Sequence, residues 1–285
     1  MRFFLVATLI SSPLFAESDY LTQNLEQISK EILQHGDAYT NLSELTQLGP
    51  RLCGSEGAAK AIEWAQKKLE SYKVDRVWLQ PVSVPHWVPG NSAKAQIVLS
   101  QDPNFQPVNL AIAPLGNSPG AMGVEAEVIE VKSVQEVANL GEQARGKIIF
   151  LNSPMPILPN PFEAYSKTVG ARTHGPNAAA KNGAVAALVR SVSTLIDDNP
   201  HAGVTIFDQK LKPIPAAALS TQAANQLSAI LAQHQYKDKK VRIKLMFNSQ
   251  KLPDVTSYNV IAELKGRELP NEVVVVGGHM DSWYL

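Results

Sequence analysis

A single cysteine in 285 residues, Cys53, leaves no second thiol for an intrachain disulfide, so the fold must hold together without that cross-link. Charge of one sign is lacking too. The 26 Lys and Arg balance 26 Asp and Glu, and with no long basic run a nucleic-acid partner is not expected. Beyond the N-terminus no segment reaches the ~18 apolar residues needed to cross a bilayer. The chain also has no G-x-x-x-x-G-K-[ST] loop and no G-x-G-x-x-G turn, which removes the main supports for P-loop and dinucleotide chemistry. What is there is a chain with 45% apolar residues, enough for real cores and long enough for two domains.

Met1 to Ala16 carries one positive charge, an apolar stretch and a small residue before Glu17, as a secretory signal does. Cleavage after Ala16 is expected, giving a soluble protein in a periplasm or outside the cell, with no membrane partner after cleavage. Leu14 is large for its place before the cut, so a retained anchor or a buried first helix stays open.

Leu21, Leu25, Ile28 and Ile32 share a helical face, which predicts an amphipathic helix over 20–35; a shorter helix follows over 41–48, and Ser55 caps a third. Alternation over 74–84 and again at Ala95, Ile97 and Leu99 predicts two strands paired across a turn at Pro85 to Gly90. The Pro- and Gly-rich stretch 101–120 reads as a crossing between domains. Strands are expected at 123–131, 147–151, 184–189, 214–219 and 241–247, a small-residue helix before Gly183, and a helix capped by Ser220. A strand over 257–264 and another over 273–276 return to the style of the first hundred residues. This predicts an α/β fold with an inserted domain at 105–250, between a first piece at 17–104 and a second at 251–285.

Four consecutive valines, Val273 to Val276, predict a strand covered on both faces, followed by Gly277-Gly278-His279-Met280-Asp281. Open α/β sheets place their sites at the strands' carboxyl ends. His279 and Asp281 lie two apart, so on extended backbone they face the same side, which suits a metal-binding His and a carboxylate that orients its second nitrogen. One His cannot hold a catalytic zinc, which takes about three protein ligands. A hydrogen-bonded structural His at a strand end is the alternative.

Other residues invite plainer readings. Cys53, in Gly49-Pro-Arg-Leu-Cys-Gly54, has no neighbouring base and reads as a small packed residue in a turn. His174 reads as a loop residue without a metal companion; His35, His201 and His234 belong to turns or helix ends; His86 precedes Trp87 in a Pro-rich turn. Asp197-Asp198 beside Asn199-Pro200 reads as a solvated turn.

Taken together, Gly49-Pro-Arg-Leu-Cys-Gly-Ser55 with a following Trp64 helix, Pro81-Val-Ser-Val-Pro-His-Trp87, Ser257 to Gly266 and above all Val276-Gly-Gly-His-Met-Asp-Ser-Trp283 resemble secreted two-zinc exopeptidases. The group is the aminopeptidase and glutamate carboxypeptidase superfamily, nearest its carboxypeptidase Q (plasma glutamate carboxypeptidase) branch. The resemblance implies that His279 is a zinc ligand, that Asp281 is the carboxylate positioning it, and that 105–250 is a protease-associated (PA) domain. In that family two zinc ions polarise the scissile carbonyl and activate water while a glutamate acts as base. The family's remaining ligands and its base follow the Ser-Trp pair, whereas here only Tyr284 and Leu285 do. The expectation is therefore the front portion of an exopeptidase, cut short and inactive alone, acting on peptide or dipeptide ends only with a complementing second chain; a homodimer is the other assembly it allows. The competing expectations are a non-catalytic remnant whose PA domain binds partners, and a periplasmic solute-binding protein.

Overall fold

The computed structural model describes residues 14–99, 104–233 and 240–284. The chain forms two compact units, Met1–Gly49 and Pro50–Leu285. In the first, α1 (Leu14–His35) and α2 (Ala38–Gln47) realise the two predicted helices. The face built from Leu21, Leu25, Ile28 and Ile32 forms as the spacing requires, and it is exposed. Of the signal segment, residues 1–13 lie outside the described residues, as does His234.

The second unit opens with α3 (Glu56–Ser71). The Ser55 hydroxyl accepts the Ala58 amide at 3.2 Å, and Ala61 and Ala65 supply the buried stripe. Two long strands follow, far apart in sequence: β1 (Arg76–Val88) pairs antiparallel with β10 (Gln250–Glu263), from Arg76 opposite Glu263 to Val88 opposite Gln250, and α3 packs on both. Here the sequence reading is corrected. Strand β1 does not pair with β2 (Ala93–Val98), and it continues through His86 and Trp87, with a register shift between Val84 and His86, where a turn was expected. The remaining strands complete an eight-stranded sheet with β2. They are β3 (Val108–Leu110), β4 (Ile112–Pro114), β5 (Ala121–Val131), β6 (Ile148–Leu151), β7 (Ala186–Arg190), β8 (Ala216–Leu219) and β9 (Arg242–Phe247), in the order β3-β2-β9-β5-β6-β7-β8-β4.

Strands β5 to β8 run parallel, and β6, β7 and β8 are buried throughout. Their runs, Ile148-Ile-Phe-Leu151, Ala186-Ala-Leu-Val189 and Ala216-Ala-Ala-Leu219, have no polar face to offer because both faces are covered. Ile148, Phe150, Leu188 and Leu219 point to one core with Leu227 of α7 (Thr221–Ala232). Ile149, Leu151, Ala187 and Val189 point to the other, with Val137 of α4 (Val134–Leu140) and Ala179 of α6 (Gly170–Lys181). A short α5 (Pro161–Thr168), capped by Asn160, precedes α6. Gly175 lets α6 approach the sheet: a Cβ there would stand 2.6 Å from the Leu151 side chain.

Both sheet edges, β3 and β4, come from the stretch read as an interdomain crossing. They are three residues each, and Pro114 ends the β4 edge, where a missing N–H costs no ladder bond.

Candidate functional site

After β10 the chain turns at 266–271 and continues without regular structure to residue 284. The expected buried strand at Val273 to Val276 does not form. These side chains are 81%, 89%, 87% and 91% exposed. A strand needs a neighbour for its N–H and C=O groups, and among the described residues no strand pairs with the valines, the sheet of β1 and β10 having no third member.

His279 and Asp281 do come together. Nδ1 of His279 lies 3.2 Å from Oδ1 of Asp281 and 3.2 Å from its backbone oxygen. The carboxylate thus engages one ring nitrogen, and Nε2 is left for another partner on a side chain that is 86% exposed. Among the described residues no group of three or more His, Cys, Asp or Glu could hold a metal ion. A histidine with a carboxylate on its other ring nitrogen fits the edge of a zinc site, and alone it is short of the three protein ligands a catalytic zinc takes.

The segment after His279 is pinned by contacts that local sequence reasoning missed. The Arg51 amide donates to Ser282 Oγ at 3.0 Å, the Arg51 carbonyl accepts the Ser282 amide at 3.1 Å, and Arg51 Nε donates to the Met280 carbonyl at 2.8 Å. The Gly49-to-Gly54 motif was singled out, yet nothing in it showed a partner 229 residues away. Farther on, the Tyr284 hydroxyl donates to the Pro114 carbonyl at 2.7 Å, and its ring centroid lies 5.8 Å from that of Trp87. Burial pushes the Tyr284 phenol well above its usual range. Trp87 is buried and donates to the Ser118 carbonyl at 2.8 Å, tying β1 to the β4–β5 connection.

Cys53 sits in the expected turn and is exposed, not packed. Partial burial and then the charge of Asp281 push its thiol up, which disfavours the thiolate a nucleophile needs. His174 lies on α6, exposed, where a loop was expected. The ring of His201 stands 6.4 Å from that of Trp283. Asp197 and Asp198 are only partly the solvated turn expected. Asp198 accepts the Ser220 hydroxyl at 2.6 Å and the Asp197 carbonyl accepts the Gln222 amide, so the pair docks on the start of α7.

A second polar cluster closes the carboxyl ends of β5 to β7. Arg190, buried, donates to Asn225 at 2.7 Å; Asn152 donates to Glu130 at 2.7 Å; Ser228 and Lys132 donate to the same carboxylate. Burial acts to raise the Glu130 carboxyl, but the hydrogen bonds from Lys132, Asn152 and Ser228 outweigh it and hold the group below its usual range. Burial lowers the Arg190 guanidinium.

No protein-family model matches the chain. Carboxypeptidase Q of Xenopus laevis is 36% identical over 268 residues, covering 90% of this chain and 54% of the relative. Carboxypeptidase Q of Homo sapiens is 32% identical, covering 97% and 59%. Among solved structures, a peptidase M28 precursor from Shewanella amazonensis superposes with a TM-score of 0.85 at 34% identity, over 93% of this chain and 58% of that one. The chain thus spans a little over half the length of these relatives. On sequence and fold together, it belongs to the M28 peptidase family, close to carboxypeptidase Q.

Proposed function

We propose that this chain supplies the front portion of a secreted or periplasmic zinc-dependent exopeptidase that cleaves peptides or dipeptides at their ends. His279 offers Nε2 to zinc, and Asp281 fixes the ring through Nδ1. The observation that carries the reading is that contact, at 3.2 Å, within a segment that resembles the family's. A bound zinc would supply Lewis-acid polarisation and an activated water. The residues described provide one such ligand and no general base beside it, so no hydrolytic step is assigned to them.

In the same reading the inserted PA-like domain, first drawn at 105–250, takes in β2 as well, because β2 is hydrogen-bonded between β3 and β9. Its sheet has a core on each face, which favours a second reading: a body stable enough to act as a binding module where catalysis is absent.

Mass and metal content of the protein purified from its own source separate the two. We expect a polypeptide of residues 17–285 alone to hold zinc weakly and cleave no peptide, and a larger species or a co-purifying second chain to carry about two zinc ions. Tight stoichiometric zinc and peptidase activity in the 17–285 polypeptide would refute the first reading.

A further inference from the structure

Arg172, in the first turn of α6, is only 4% exposed, and a guanidinium keeps its charge wherever it is put. Burying that charge is costly unless something compensates it. No carboxylate does so among the described residues, and Nε and Nη1 have no acceptor there. The compensation is aromatic. Nη2 donates to the Tyr165 hydroxyl at 2.6 Å, the Tyr165 ring centroid lies 5.7 Å from Cζ, and that of Trp283 lies 5.0 Å from it. The chain also makes room for the group: a Cβ on Gly203 would stand 2.6 Å from both Cζ and Nε of Arg172.

Trp283 is two residues past Asp281. The backbone from 280 to 282 is held by Arg51, on the side of α3 and the β1–β10 ribbon. Trp283 and Tyr284 are held by Arg172, Trp87 and Pro114. His279 itself touches only Asp281 among the contacts described, so its placement is inherited from these anchors.

We propose that Arg172 is a positioning residue. Its cation–π hold on Trp283, with Gly203 as the seat of the guanidinium, fixes the end of the segment from which His279 and Asp281 project. The grip stands on its own geometry; only its purpose, placing a metal ligand, rests on the exopeptidase reading. The guanidinium is desolvated, and a desolvated cation over an aromatic ring is among the stronger contacts of its kind, while Trp283 itself stays 42% exposed.

The test is amide hydrogen exchange on the full chain, read at Ser282, whose amide is bonded to Arg51, with β6 and β7 as internal reference. In Trp283→Ala and in Gly203→Ala we expect exchange at Ser282 to rise about tenfold while β6 and β7 hold their protection. Trp283→Phe, which keeps an aromatic face, should restore most of the protection; Trp283→Leu, which keeps only bulk, should not. Trp283 lies outside the sheet, so its variants stay informative if Gly203→Ala fails to fold. Unchanged exchange at Ser282 in Trp283→Ala overturns the proposal, and so does equal protection by Leu and Phe. Zinc has no part in this readout, so a failure of the exopeptidase reading would show in metal content and leave the exchange result standing.

Discussion

The valine run gives the sharpest prediction, because composition and structure say opposite things about it. Burying a valine fully is worth about 1.5–3 kcal/mol, so a covered strand at Val273 to Val276 would lose several kcal/mol if two of its side chains became polar. In the structure Val274 and Val276 are 89% and 91% exposed, which leaves about a tenth of that burial to lose. The double substitution Val274→Thr/Val276→Thr keeps shape and β-branching and adds two hydroxyls. It should move stability by no more than ~0.5 kcal/mol, the range for surface changes. Val189→Thr in β7, at 1% exposure, provides the contrast: a hydroxyl placed in a dry core with no partner should cost about 1–3 kcal/mol.

The assay is urea unfolding followed by circular dichroism, with midpoint and slope compared across the three proteins. An unchanged midpoint for the double variant, with reduced light scattering because two of the four exposed apolar side chains become polar, is the expected result. A loss as large as that of Val189→Thr would mean that the run is packed in this chain and that the reasoning from exposure is wrong.

Ser220→Ala should cost about 1–2 kcal/mol, since the hydroxyl both accepts the Ala223 amide at 2.9 Å and donates to Asp198 at 2.6 Å; thermal unfolding checks it, and a loss under ~0.3 kcal/mol would deny the cap. Glu130 gives the pH dependence. Its folded carboxyl is held low, so its contribution is present above the unfolded value near 4.3 and drains away as pH falls through the lower folded value. Glu130→Gln should therefore lower the melting temperature at pH 7 and flatten the acid limb below about pH 5; parallel melting curves for the two proteins across that limb would contradict this.

Much of the eight-stranded sheet was legible because its signals are local. Unbroken apolar runs at 148–151, 186–189 and 216–219 demand cover on both faces, alternation at Ile243, Leu245 and Phe247 demands it on one, and Ser55 and Ser220 mark helix starts within a turn of where they cap. Pairing was not legible. Nothing in 76–88 names 250–263 as its partner, and the nearer strand at 93–98 was the natural but mistaken choice. Edge strands of three residues in a Pro-rich stretch carry too little periodicity to stand out. At the candidate site the spacing of His279 and Asp281 was enough to predict their meeting. The anchors were not, because Arg51 and Arg172 act on the segment from 229 and 111 positions away, distances at which sequence pattern carries no information.

The two parts of the second unit differ in what they still need. The eight-stranded sheet has an apolar core on each face, built from its own helices and strands, and asks for no further cover. The segment beyond β10 carries four bare valines and then a histidine held by one carboxylate. Exposed β-branched runs of this kind are rarely left open in a working protein. Polypeptide that covered Val273 to Val276 as a neighbouring strand would place further side chains beside His279, at the carboxyl end of the strand it completed, which is where α/β sheets put their chemistry. Cover for the valines and ligands for the metal are in this sense one requirement. That predicts joint behaviour: a complementing segment that protects the amides of 273–276 from exchange should raise zinc affinity in the same titration, and protection without a gain in affinity would separate the strand from the site.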